Sequence, residues 1–93
     1  MALKIIEKKG NFLIKGKITG YNVQAMKHHF EYILRKRNRL TINISDVTEI
    51  NSDGLLAMNK MYNYALLTQK LFTIIGKGSE EIYAYFKQQN IAK

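Results

Sequence analysis

The sequence predicts an α/β fold in one domain, a mixed sheet of about four to five strands packed by three to four helices. Three observations predict it. Short apolar runs of strand length alternate with longer segments whose apolar residues recur at spacings of three and four. The first two apolar runs are separated only by a turn, which sets an antiparallel hairpin ahead of the alternating part. The chain has 93 residues and no proline, repeat or linker-like stretch, so residues 1–93 read as one unit.

The elements follow in order. Leu3 to Ile6 and Phe12 to Ile18 read as strands, joined by a turn at Lys8-Lys9-Gly10-Asn11, where Gly and Asn tolerate positive φ. In the second run Phe12, Ile14, Gly16 and Ile18 alternate with Leu13, Lys15, Lys17 and Thr19, the period of a strand with one apolar face. Asn22 is the expected N-cap of a first helix near residues 22–37. Val23, Met26, Phe30, Ile33 and Leu34 form its inward stripe. Arg35-Lys36-Arg37 meets the negative end of that helix's dipole.

Leu40 to Ile44 is a third strand, and Ser45 to Thr48 a loop or short turn. A second helix is expected near residues 53–69, with Leu55, Met58, Tyr62, Ala65 and Leu66 buried. Leu71 to Ile75 lacks alternation, as in a strand covered on both faces. Gly76-Lys77-Gly78 is a turn, and Ser79 the expected cap of a third helix near residues 79–89, with Glu80 and Glu81 at its positive end. Ile82, Tyr83 and Phe86 face inward. The order β-β-α-β-α-β-α implies right-handed crossovers between parallel neighbours. The expected core includes Ile14, Phe30, Ile42, Ile44, Leu55, Met58, Ile74 and Phe86.

Composition narrows the function. The absence of cysteine excludes a disulfide scaffold and thiolate metal sites. Lys4 and Glu7 break the N-terminal apolar stretch, so it does not read as a signal peptide. No window reaches the roughly 20 apolar residues of a membrane span, and a cytoplasmic location is the expectation. The net charge is +8, but only Arg35 to Arg39 is dense. Such a cluster is expected to be a solvated helix end. A basic surface for an acidic partner, anionic lipid or nucleic acid is the competing reading.

Residues that could carry catalysis are few. His28 and His29 are adjacent, about 100° apart on a helix, and cannot form the i, i+4 pair of a helical metal site. Asp46, Glu49 and Asp53 are the only cluster of acids, without the spacing of a calcium loop. Gly76-Lys77-Gly78-Ser79 lacks the spacing of a phosphate-binding loop. No catalytic, cofactor-binding or metal-binding residue is therefore expected, and no cofactor.

The stretch from Asn43 to Leu55 is the informative one. It carries a strand through a polar segment into a helix at Ser52-Asp53-Gly54. That places small polar side chains on a helix N-terminus, where unpaired amides favour an anion. On local grounds Ser52 is the N-cap, and Asp53 gains about 0.3–1 kcal/mol from the helix dipole.

This stretch resembles the signature of the STAS domain family, shared by sulfate transporters and bacterial anti-sigma-factor antagonists. The family pattern, Asp-Leu-Ser-x-Val-x-x-Ile-Asp-Ser-Ser-Gly-Leu, is followed in spacing by Asn43-Ile44-Ser45-Asp46-Val47-Thr48-Glu49-Ile50-Asn51-Ser52-Asp53-Gly54-Leu55. Ile14 to Thr19 and Leu71 to Gly76 resemble two further family segments. The resemblance implies a STAS-like fold and a non-catalytic domain that binds an anti-sigma factor or a related serine kinase. Asn51, Ser52, Asp53 and Gly54, with the helix that follows, would carry the contact. Family antagonists are phosphorylated on the serine before the glycine, and that position is Asp53 here. Asn43, Asn51 and Thr19 replace family aspartates. Lone STAS-like domains also serve transport ATPases in bacterial lipid trafficking, which is the second expectation. A nucleic-acid module built on Arg35 to Arg39 is the third.

Overall fold

A computed structural model of the chain describes residues 3–90 in full and the backbone of residue 91. The expected 1–93 span runs past these at both ends. Seven elements appear in the predicted order: β1 (Lys4–Lys8), β2 (Asn11–Ile18), α1 (Asn22–Lys36), β3 (Arg39–Ile50), α2 (Ser52–Leu67), β4 (Leu71–Ile75) and α3 (Ser79–Ile91). The strands make one mixed sheet in the order β1-β2-β3-β4. β1 and β2 are antiparallel, and β2, β3 and β4 are parallel.

The β1–β2 hairpin closes where Lys8 pairs with Asn11. Lys9 and Gly10 both have positive φ, 53° and 84°, as a tight two-residue hairpin turn demands. At the far end of α1, Arg37 grips Glu7 of β1 with two hydrogen bonds, at 2.7 and 3.4 Å. That contact fastens the hairpin's outer strand to the helix layer.

All three helices pack on one face of the sheet. Phe12, Ile14 and Ile18 of β2, Leu40, Ile42 and Ile44 of β3, and Phe72 and Ile74 of β4 are buried there. They share one core with Phe30 and Leu34 of α1, Met58 and Met61 of α2, and Phe86 of α3. Seven of the eight expected core residues are buried. The eighth, Leu55, is half-buried against the core's edge.

Several expectations need correction. Residues Ser45 to Thr48 are not a loop, because β3 continues to Ile50 alongside Lys15–Ile18 of β2. Two register shifts place an extra β3 residue between Asn43 and Asp46 and another between Val47 and Glu49. Each insertion reverses the alternation that marks a strand in sequence. β4 is not covered on both faces. It lies at the sheet edge with Leu71 exposed and Phe72 buried, because the helices cover one side only.

Helix starts also shift. Tyr21, not Asn22, occupies the cap position of α1, and Asn22 begins the helix. Asn51, not Ser52, caps α2. Ser79 is the first residue of α3 rather than the residue before it. Finally, α2 is rotated from the predicted stripe. Its buried residues are Gly54, Ala57, Met58, Asn59, Met61 and Ala65, and Leu66 is 57% exposed.

Candidate functional site

The parallel strands end at one edge of the sheet, and the helices begin there. Such an edge is where open α/β sheets collect binding groups, since several helix N-termini point the same way. Here a single residue, Asn51, separates the end of β3 from the start of α2. Its backbone amide donates to the Ile18 carbonyl of β2 at 3.3 Å. Its side-chain oxygen Oδ1 accepts from the Gly54 amide at 2.9 Å. Asn51 therefore caps α2 and ties it to two strands at once, work that an asparagine performs without a charge.

Gly54 lies under this cap and is buried. A Cβ at this position would stand 2.7 Å from the Ile18 carbonyl oxygen and 2.7 Å from the Ile50 side chain. The glycine thus lets the helix start press onto β2 and β3. Ser52 and Asp53 face outward and are exposed, on the first turn of α2. Of the four expected residues, Ser52 and Asp53 are presented to solvent, Asn51 is half-buried and Gly54 is enclosed.

The start of α1 stands beside the start of α2. Between them is a shallow hollow of about 190 Å³, walled by Gly20, Val23 and Lys27 on one side and Asp53, Leu56 and Lys60 on the other. Lys27 is held by Glu31 at 3.1 Å, one turn along α1. Asp53, Leu56 and Lys60 follow one another up the outer face of α2. Leu56 is 42% exposed, and Tyr21 at the head of α1 is 92% exposed. A negative group, an apolar side chain and an ammonium thus share one accessible ridge. The sequence pattern flagged Asp53 but not Leu56, Lys60 or Tyr21. The signal for Leu56 was its place outside the inward stripe of α2.

The rest of the signature stretch holds the frame. Asn43 Oδ1 accepts from the Ser45 amide at 2.9 Å, across the first bulge of β3. Ser45 Oγ accepts from the Lys77 amide at 3.0 Å. Together they fix the Gly76-Lys77-Gly78 turn against β3. Gly76 has φ of 100°, and a Cβ there would collide with Asn43 Oδ1 and Ser45 Oγ. A second hollow, about 390 Å³, opens between the tail of β3, Leu55 of α2 and Ile82 and Tyr85 of α3.

Asp46, Glu49 and Asp53, near one another in sequence, do not form one site. Glu49 pairs with Lys17 at 3.7 Å, while Asp53 lines the α1–α2 hollow. Among the described residues no three histidine, aspartate or glutamate side chains converge as a metal site requires. Arg35, Lys36, Arg37 and Arg39 are exposed, as expected. Arg35 and Lys36 lie over the Tyr32 ring, 5.8 and 5.5 Å from its centre, and Arg37 lies 5.6 Å from that of Phe12. His28 and His29 are also exposed, with the His29 ring edge-on to Phe12. No helix among the described residues is long and apolar enough to cross a membrane. The sequence matches no protein-family model and no curated protein.

Proposed function

We propose that this domain is a non-catalytic protein-binding regulator of the STAS type, similar to an anti-sigma-factor antagonist. It binds an anti-sigma factor or related serine kinase through the start of α2. Ser52, Asp53, Leu56 and Lys60 make the contact, while Asn51 and Gly54 hold the helix start in place. The observation that carries this reading is the exposed Asp53–Leu56–Lys60 ridge on a helix start pinned to two strands. An apolar residue between opposite charges, on a rigid support, is what a specific protein contact uses. The resemblance of the Asn43–Leu55 stretch to the STAS signature supports the kind of partner.

Asp53 stands where the resemblance places a phosphorylated serine. A carboxylate there carries about −1 charge against about −1.5 to −2 for a phosphate, so it imitates that state in part and permanently. The test is capture of partners from the native host with the wild-type chain and with Leu56→Asp, followed by mass spectrometry. The reading expects an ATP-binding kinase or anti-sigma factor retained by the wild type and lost from the variant. Retention of a transport ATPase instead would move the domain to the accessory-subunit reading. A partner held equally by both chains would remove the ridge from the contact.

A further inference from the structure

The sheet has a second face, and no described element covers it. Sheets built wholly of parallel strands almost always have both faces covered, and an apolar face left bare on a largely parallel sheet is a place for another element to pack. Three of the four strands here are mutually parallel, yet the helices lie on one side alone. The register shows what the other side carries. Ile6 pairs with Leu13, Leu13 with Asn43, and Asn43 with Ile75, so these four make one row across the sheet. Leu71, paired with Arg39, lies on the same face. Leu71 is 55% exposed, and Ile6 and Ile75 are 37% exposed each.

Cations flank this row on both sides along the strand direction. Lys4 and Lys15 are register partners on one side of it, and Lys8 and Arg39 belong to the face on the other. All four are exposed, and none has an ion-pair partner among the described residues. Asp46, the register partner of Lys15, is the acid closest to the row on this face. The net charge of +8 is thus partly concentrated around an apolar strip.

We propose that this bare face is a docking surface for an acidic amphipathic helix of a partner protein. Helices are what cover parallel sheets, and a strip four strands wide spans roughly 14 Å at the usual 4.7–4.9 Å strand spacing, room for one helix about 10–12 Å across. Charge decides between occupants. A second copy would set Lys4, Lys8, Lys15 and Arg39 against their counterparts, a like-charge contact. Sheet faces that read single-stranded nucleic acid stack bases on aromatic side chains, and this one carries isoleucine, leucine and threonine instead. A bilayer wants a continuous apolar surface, whereas Thr41, Asn43 and Thr73 interrupt this one.

The experiment uses the full chain and a synthetic 18-residue helical peptide with a leucine stripe flanked by glutamates. A scrambled peptide of the same composition is the control. Backbone amide chemical shifts report the location, and titration reports affinity. The expected result is perturbation of amides in β1–β4 by the helical peptide and not by the scramble. The double reversal Lys15→Glu, Arg39→Glu should weaken binding roughly tenfold or more, as loss of interfacial charge pairs does. Reversal of Arg35 and Lys36, on the end of α1, should change it less than about threefold, because exposed charges outside a contact act only through screened attraction. Equal losses in the two variants would overturn the proposal, since net charge alone would then explain binding. Shifts confined to α1 and α2 would overturn it as well. So would tighter binding to phosphatidylglycerol vesicles or to a single-stranded oligonucleotide than to the peptide.

Discussion

The Tyr83 hydroxyl accepts a 2.8 Å hydrogen bond from the backbone amide of Ile74, so a side chain of α3 satisfies a donor on the edge strand β4. Edge strands with free donors invite pairing with other chains, and this contact removes one such donor. Tyr83→Phe leaves the ring in its place among Tyr62 and Phe86 and deletes only the acceptor. The expected loss is about 0.5–1.5 kcal/mol in chemical denaturation with an unchanged m-value. Wild-type stability in the variant would show that water serves Ile74 equally well.

Gly54→Ala tests the close approach of α2 to the sheet. The added methyl would have to displace the Ile18 carbonyl and the Ile50 side chain, neither of which is a flexible tip. Overpacking of this kind costs about 1–3 kcal/mol, larger than the gain in helix propensity of roughly 1 kcal/mol. The midpoint of denaturation should fall. A rise would mean that the helix start has room that the backbone distances deny.

Lys9→Asn should act in the opposite direction. Lys9 holds φ of 53° beside Gly10, and a left-handed conformation costs an ordinary residue about 1–2 kcal/mol, less for asparagine. Asn-Gly is the favoured pair for this turn. A gain of about 0.5–1 kcal/mol is expected from thermal or chemical unfolding, and no gain would place the strain elsewhere.

The Glu7–Arg37 contact gives a pH dependence with a definite sign. The hydrogen bond from Arg37 holds the Glu7 carboxyl below its ordinary value, and the same bond raises Arg37. A carboxylate depressed in the folded chain adds stability above its unfolded pKa. That increment fades as pH falls through the depressed value. The stability difference between wild type and Glu7→Gln should therefore be present at neutral pH and vanish in acid below the usual carboxylate range. It should also shrink in high salt, because both groups are exposed. A difference that persists unchanged in acid would assign it to packing of the side chain.

For Asp53, the proposed partner contact predicts that Asp53→Ser and Asp53→Ala both change affinity by on the order of 1–3 kcal/mol, since freeing a charge at an interface has that scale. Asp53→Ser should further become a substrate for the kinase that Asp53 itself cannot accept. Identical affinities in a calorimetric titration of all three chains would leave Asp53 with a helix-start role alone.

The parts of the fold legible in the sequence were those governed by neighbours along the chain. Gly10 between two alternating runs announced the hairpin, and the Val23–Met26–Phe30–Ile33–Leu34 spacing announced α1 with its inner face. What depended on distant partners was not legible. The second half of β3 is a strand because Lys15–Ile18 pairs with it, and its two extra residues erase the alternation. The rotation of α2 follows from Gly54 meeting Ile18, a contact across the fold, so Leu66 could pass for a core residue. Asp53 was singled out through its motif, and it lies exposed on the first turn of α2. Gly20 and Lys27 come to line a hollow with it only because β2 and β3 are parallel neighbours, which brings the starts of α1 and α2 together. The five residues of β4, four of them apolar, gave no sign of which face lacked cover.

The one-residue connection at Asn51 also sets the thermodynamic character of any association there. With its amide on Ile18 and its carboxamide on Gly54, no segment remains to be ordered when a partner arrives. Binding to the α2 start should proceed as the meeting of two preformed surfaces, with a heat-capacity change set by the apolar area covered. The toll for freezing a loop, which weakens many regulatory contacts, is absent. Affinity differences among variants at position 53 then report side-chain charge on an unmoved backbone, and they should appear chiefly in the dissociation rate.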